Sequence, residues 1–431
     1  MGNGTPLTSY TIDESASSAT NLARRPLRLS VDVPLILIVI TLLVFGLLMV
    51  YSASWDYSIV VLEKPPTYMF VHQLRSLGIG ILVMIVLSRL DYRYWGKLAL
   101  PLMLINLGLL VAVLVIGEVV NNATRTIFRG SVQPSEFAKL MTVVYLSVWL
   151  YNRRDKLNDI SFGLIPLGAI LGVLAGLIVV QPDLSAAATV CILGGMLFFL
   201  AGSDLRQIGA LGLVGLLSGF VILRLHPTGR MRIDAYLAGL GDPTQAPTHL
   251  ARSLEAIVKG GWLGVGVGRA DTKLIGLPVP PTDSIFAVIS EETGILGASA
   301  LVLLYVLLLW RGFKIARDAP DDLGRLMAMG LSVWIIVEAF INMAVMVGLV
   351  PFAGNALPFI SYGGSSLVAS LAAVGILMNI SRTTTKLKTE EERAFNAVVD
   401  LRRRDWRRSV PRSRYTSSNP EPKHRDSAIF R

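Results

Sequence analysis

The chain has 431 residues, of which 53% are hydrophobic and only 16% charged, with a formal net charge of +10. A soluble protein carries about 25% charged residues, and long uncharged apolar stretches mark membrane spans, so an ordinary soluble globular class is excluded. The basic excess is largely a tail, 14 Lys/Arg against 7 Asp/Glu from Arg382 to Arg431; it suits the anionic inner leaflet of a membrane, and no nucleic-acid partner is expected.

Residues 1–30 are polar and read as a disordered cytoplasmic N-terminus. The apolar run that follows is too long for the core of a cleaved signal peptide. About twenty apolar residues cross a bilayer as a helix, and ten runs qualify: 33–51, 68–88, 96–116, 135–151, 162–180, 184–201, 205–223, 284–310, 325–350 and 358–380. The expected fold is therefore an all-α polytopic membrane protein with a ten-helix domain over 31–382. Alternate connections hold "RLDYRYWGK", "NRRDK" and "RGFKIARDAPDDLGR", whereas "VPFAGNALPFISYGGSS" has no Lys or Arg. The positive-inside rule then puts both termini in the cytoplasm. Residues 224–283 form a long outer loop between the seventh and eighth spans; a structured loop of that length over a bundle is a functional candidate. Its "GVGVGRAD" is not a nucleotide loop, since no buried strand precedes it. Residues 383–431 read as a mostly disordered basic tail, with a short interfacial helix expected over "TEEERAFNAVVDLRRRDWRR".

The polar residues inside this pattern gather at the outer side. Arg125 and Arg129 precede the fourth span, and Glu136 and Lys139 stand three apart in its first turns, as a helix-stabilising ion pair or as participants in chemistry. Ser135 and Asp183 follow or precede helix starts and are read first as caps. Glu291 and Glu292 are expected to pair with a neighbouring helix, and Glu338 and Asn342 to hydrogen-bond between helices. Asp283 ends a proline-flanked segment with no basic residue nearer in sequence than Lys273. A partly desolvated carboxylate of that kind either caps a helix or takes a proton from a substrate hydroxyl. Four scattered histidines and the lone Cys191 lack metal-ligand spacing, so no metal site is expected.

"LMVYSAS", "QPSEFAKL", "QPDLS", "PPTDSIFAVISEETG" and "LPFISYGGSS" occur in this order. Together they resemble the SEDS family, the FtsW/RodA glycosyltransferases of bacterial cell-wall synthesis, and "MVYSAS" and "SRLDYRYW" look more like the FtsW branch. The resemblance spans roughly 31–382. It implies a SEDS-type bundle in the bacterial cytoplasmic membrane that polymerises lipid II into glycan strands as an inverting glycosyltransferase, in division or elongation. It makes Asp283 the catalytic base and places the family's glutamate, lysine and loop arginine on Glu136, Lys139 and Arg125. Lipid II carries a pyrophosphate, which Arg and Lys hold; the expected substrate-binding set is Arg125, Glu136, Lys139, Asp183, Arg230, Arg232 and Lys273, with Arg252 beside them. The implied partners are lipid II, polyprenyl-pyrophosphate-linked glycan, a class B penicillin-binding protein and other division or elongation proteins. No resident cofactor is implied, though a divalent cation (Mg or Mn) at the pyrophosphate is an open expectation. The chain departs from the family pattern at Thr126, Val279, Pro281, Ser284, "GNALPF" and Arg252-Ser253. A lipid-linked-sugar flippase or a non-catalytic scaffold for the transpeptidase remain the alternatives.

Overall fold

The computed structural model describes residues 31–120, 123–126, 133–242 and 245–408. Helices occupy all ten expected positions: α1 (Val33–Val60), α2 (Tyr68–Arg89), α3 (Trp95–Ile116), α4 (Pro134–Asn152), α5 (Ile165–Val180), α6 (Leu184–Leu200), α7 (Leu205–Leu225), α10 (Ile285–Asp318), α11 (Asp322–Met346) and α12 (Gly364–Arg408). Two more, α8 (Pro227–Gly241) and α9 (Thr248–Gly260), lie in the long loop, which is thus structured as expected. By length and composition, eight helices among the described residues are able to cross a membrane. The other two are α6, apolar but shorter, and α4, 19 residues long with Glu136 and Lys139 inside it. The sequence did not announce a small antiparallel hairpin, β1 (Glu118–Val120) with β2 (Ala123–Thr126), between α3 and α4.

The interior is built on α4, α6, α11 and the first turns of α12, where Trp334 is the largest fully buried side chain. α7 stands apart, with only Gln207 buried, because nearly every side chain on it is Leu, Val, Ile, Phe or Gly and suits lipid. Successive spans alternate in direction, so helix ends collect at two poles. At one pole Asp32 caps α1, accepting from Leu35 N at 3.2 Å, and binds Arg311 of α10 through two 2.8 Å bonds. It also accepts from Ser381 of α12. The Lys/Arg-rich connections lie at this pole, with Arg93 on Asp321 and Arg154 on Asp322. The opposite pole gathers the connection after α3, the α5–α6 turn, the long loop and residues 347–363.

The first compact unit ends at Thr385. The second begins at Lys386; it is helical through Arg408, and the stretch read as a short interfacial helix lies within it. The N-terminal residues 1–30 and the tail from 409 lie outside the described residues.

Candidate active site

The segment before α10, "PVPPTDS", carries almost no side-chain donors, so its backbone must be held from elsewhere. Tyr362 N donates to Pro281 O (2.8 Å), Ser361 Oγ to Thr282 O (2.7 Å) and Asn342 Nδ2 to Asp283 O (2.9 Å). Ser284, which begins α10 without a side-chain capping bond, donates instead to Pro278 O at 2.7 Å. The holders are themselves held: Ser361 Oγ accepts from Leu357 N, Asn342 also donates to Asn355 O, and Gln73 of α2 donates to Ser361 O and accepts from Gly363 N. Val279 sits at φ 44°, a left-handed conformation that a β-branched residue adopts only under constraint. Its carbonyl accepts from Thr282 N at 3.2 Å, closing the turn that delivers Asp283.

The Asp283 side chain is half-buried, and the backbone of Gly354 faces it: a Cβ added there would stand 3.4 Å from Oδ2, at a residue whose own φ is 62°. Arg232 of α8 reaches the same connection, donating to Phe352 O at 3.3 Å with its guanidinium 5.3 Å from the Phe352 ring centre. His249 of α9 packs against that ring, tilted by 49° with the ring centres 4.3 Å apart. Burial, and then the charge of Arg232, hold the His249 pKa below its ordinary value.

One turn of α11 before Asn342 lies a second cluster. Lys139 Nζ donates to Glu136 Oε1 at 2.8 Å and to Glu338 of α11. The lysine side chain is only 5% exposed, which takes it out of any open groove. Glu136 Oε2 is buried without a partner. The i, i+3 pair read from sequence is present, but the second carboxylate comes from a distant helix.

The other expected residues divide by position. Asp183 caps α6, with Oδ1 accepting from Ala186 N and Ser185 Oγ. Its Oδ2 accepts from Ser135 Oγ and Gln133 Nε2, so Ser135 joins α4 to α6 rather than capping a helix. Lys273 lies against Glu292 (3.3 Å) and Ser52 O (3.2 Å), with 4% of its side chain exposed. It too is packed beneath the loop rather than open to solvent. Glu291 accepts from Asp271 N, Thr272 N and Thr272 Oγ1 of the loop rather than from a helix, whereas Glu292 does pair with a helix, accepting from Ser52 of α1. Arg230 pairs with Asp234 on an exposed face, and Arg252 with Glu255 on a partly buried one. Arg125 lies on β2 with its side chain outside the described parts, and Arg129 lies outside the described residues. No group of three or more His, Cys, Asp or Glu side chains placed to share a metal occurs among the described residues. Gln73, Ser361 and Asn355 were missed in the sequence; a Gln inside an apolar span was the available signal, since a buried amide must find partners.

The family model described as "Cell cycle protein", for FtsW, RodA and SpoVE, matches residues 33–386. A probable peptidoglycan glycosyltransferase FtsW of Trichlorobacter lovleyi is 39% identical over 369 residues, 84% of this chain and 96% of that protein. Stage V sporulation protein E of Bacillus subtilis is 39% identical over 362 residues, 82% and 97%. Among solved structures, a chain from work on the coordination of polymerization and crosslinking by a peptidoglycan synthase complex aligns with TM-score 0.66 at 28% identity, over 82% of this chain and 98% of that one. The rod shape determining protein RodA of Thermus thermophilus aligns with TM-score 0.62 at 27% identity, over 83% and 98%. With a match of that extent over all ten span positions, this chain belongs to the FtsW/RodA/SpoVE cell cycle protein family.

Proposed function

We propose that this protein is a peptidoglycan glycosyltransferase that polymerises lipid II at the outer face of the bacterial cytoplasmic membrane. The observation that carries the reading is Asp283: a half-buried carboxylate at the pole where helix ends converge, its flanking backbone tied to α11 and to the 357–363 connection. The Lys/Arg-rich connections at the opposite pole support cytoplasmic termini and an outward-facing Asp283. The relatives named as peptidoglycan glycosyltransferases support the chemistry.

In the step proposed, the 4-hydroxyl oxygen of an incoming lipid II attacks the anomeric carbon of the growing strand. The bond from that carbon to the lipid pyrophosphate breaks and its electron pair leaves with the pyrophosphate, while the hydroxyl proton passes to Asp283. An α-linked donor gives a β-linked product, so one inverting displacement suffices and no enzyme nucleophile is needed. A general base must stand within about 2.6–3.2 Å of the hydroxyl, and positive charge must meet the leaving group. Arg232 stands on the connection that faces Asp283 and suits the second task, with Arg125 from the β-hairpin as its companion. Lys139, enclosed by two carboxylates, supports α4 against α11 instead. A class B transpeptidase is the proposed partner, and a division role follows the FtsW-like motifs.

The test is glycan synthesis from lipid II by the purified protein with its transpeptidase. General-base removal costs about 10²–10⁴-fold in rate, so Asp283→Asn should bind substrate and partner yet polymerise at most about a hundredth as fast. Near-normal polymer from that variant would overturn the assignment. Two observations favour a second reading, a lipid-linked-sugar transporter: α10 is broken at Gly294, and an ion cluster is buried between α4 and α11, both features of transporters. Movement of labelled lipid II across vesicles without polymer would select it.

A further inference from the structure

The glycine-rich run "GGWLGVGVG" (260–268) is not used by the site described above, yet it makes an unusual contact. α10 is not a continuous helix: Gly294 lies at φ 69°, ψ −174°. The groups freed by this break are satisfied by the long loop. Ile295 N donates to Gly261 O (2.9 Å) and Leu296 N to Trp262 O (3.2 Å), while Val265 N and Gly266 N donate to Glu291 O and Glu292 O at 3.0 Å each. Glycine is required on both sides of this seam: a Cβ on Gly264 would run into the Glu292 carbonyl, and one on Gly294 into the Gly264 nitrogen.

Two cross-links between antiparallel α1 and α10 give the seam a depth. Asp32 binds Arg311 at one level, and Ser52 donates to Glu292 (2.5 Å) at another. About 20 residues of α1 lie between them, ~30 Å of helix, which matches the hydrocarbon thickness of a bilayer. With the Asp32–Arg311 pair at one membrane boundary, Glu292 and its partner Lys273 stand at the other. The hairpin tip bonds to residues 295 and 296, three and four residues beyond Glu292, which places it roughly 5–6 Å inside that boundary. Irregular backbone is tolerated at this depth only when protein satisfies its polar groups, as the four bonds do here. At the tip, Trp262 and Leu263 are 71% and 79% exposed and continue the apolar stripe of α10 formed by Ile295, Leu296, Leu303 and Val306. Such a stripe in a membrane helix faces lipid.

We propose that the 260–264 hairpin is a membrane wedge: Trp262 and Leu263 insert among the lipids of the leaflet on the Asp283 side, at the headgroup–acyl boundary where Trp is favoured. The long loop is thereby anchored to the bilayer as well as to the bundle, and lipid completes the surface around the break in α10. The proposal needs neither the catalytic reading nor the assignment of inside and outside.

The single natural cysteine makes the test direct. In a Cys191→Ser background, Leu263→Cys and Glu63→Cys each carry a polarity-sensitive NBD label, and the full chain is reconstituted in phosphatidylethanolamine–phosphatidylglycerol vesicles. Glu63 lies beyond the end of α1, past the Ser52 level, and serves as the water-exposed reference. The expected result is blue-shifted emission from the 263 label, lost on adding lipids with a nitroxide near the headgroup, while the 63 label stays water-like. In the unlabelled protein, brominated lipids should quench an emission component that Trp262→Phe removes. Water-like, unquenched emission from position 263 would overturn the proposal, as would shielding that appears only when a partner protein is added.

Discussion

Lys139 shows how a buried charge is settled by residues that sequence spacing cannot identify. Its ammonium is enclosed by Glu136 and Glu338, and removing one partner from a buried ion pair costs about 3–5 kcal/mol because the remaining charge is uncompensated. Lys139→Met should therefore lower the thermal midpoint of the detergent-solubilised protein sharply. Lys139→Met with Glu136→Gln and Glu338→Gln should recover most of that loss and, because the cluster is structural, recover glycan synthesis as well. A stable triple variant without activity would put Lys139 back into the chemistry. Gly354 offers a second test beside Asp283. Its φ of 62° suits glycine, and a branched side chain would extend beyond a Cβ that already touches the carboxylate. Gly354→Val should reduce polymerisation more than it reduces lipid II binding, as the kcat and KM for lipid II would show.

At the scale of elements, the α1–α10–α12 junction depends on one residue. Asp32 caps α1 and binds Arg311 and Ser381 together. Asp32→Ala removes the cap, worth about 0.5–2 kcal/mol, and strands the Arg311 charge, so by thermal unfolding it should destabilise more than Ser381→Ala, or than Asp159→Ala, which removes only an exposed carboxylate that accepts from Ser161 N ahead of α5. The α9 region carries a pH dependence. His249 is held below its ordinary pKa of about 6.5, so at higher pH it is neutral whether the loop is folded or open. As pH falls through that value the open loop takes up a proton that the folded loop resists, and stability is lost. Proteolysis of the loop should therefore quicken below about pH 6.5, and His249→Phe, which keeps a ring against Phe352, should flatten the profile.

For the whole molecule, the two poles make opposite predictions about access. In the Cys191→Ser background, an impermeant thiol reagent added outside cells should modify Leu240→Cys, on the long loop, and leave Asp155→Cys untouched. Asp155 lies on the opposite pole with its side chain 93% exposed, so failure to react cannot be assigned to burial. The reverse pattern would invert the orientation proposed.

The sequence by itself determined the membrane class, the span positions, the structured long loop and the segment that bears Asp283. The first three follow from apolar run length and loop length, local properties that need no partner to be read, and the last from its proline-flanked carboxylate and from the motif resemblance. The same locality let the Glu136–Lys139 pair be anticipated, since three residues of helix bring them together. Only the tertiary structure decided that Glu338 shares Lys139, that Lys273 serves Glu292, and that Asp183, besides capping α6, accepts from Ser135 of α4. It also revealed that the glycine-rich run repairs a break in α10. The physical reason is common to all of them. A polar group that folding removes from water must be satisfied by whichever element packs against it, and that element is chosen by the fold beyond the reach of helical spacing: 19 residues on for Lys273 and Glu292, 48 for Ser135 and Asp183, 199 for Lys139 and Glu338.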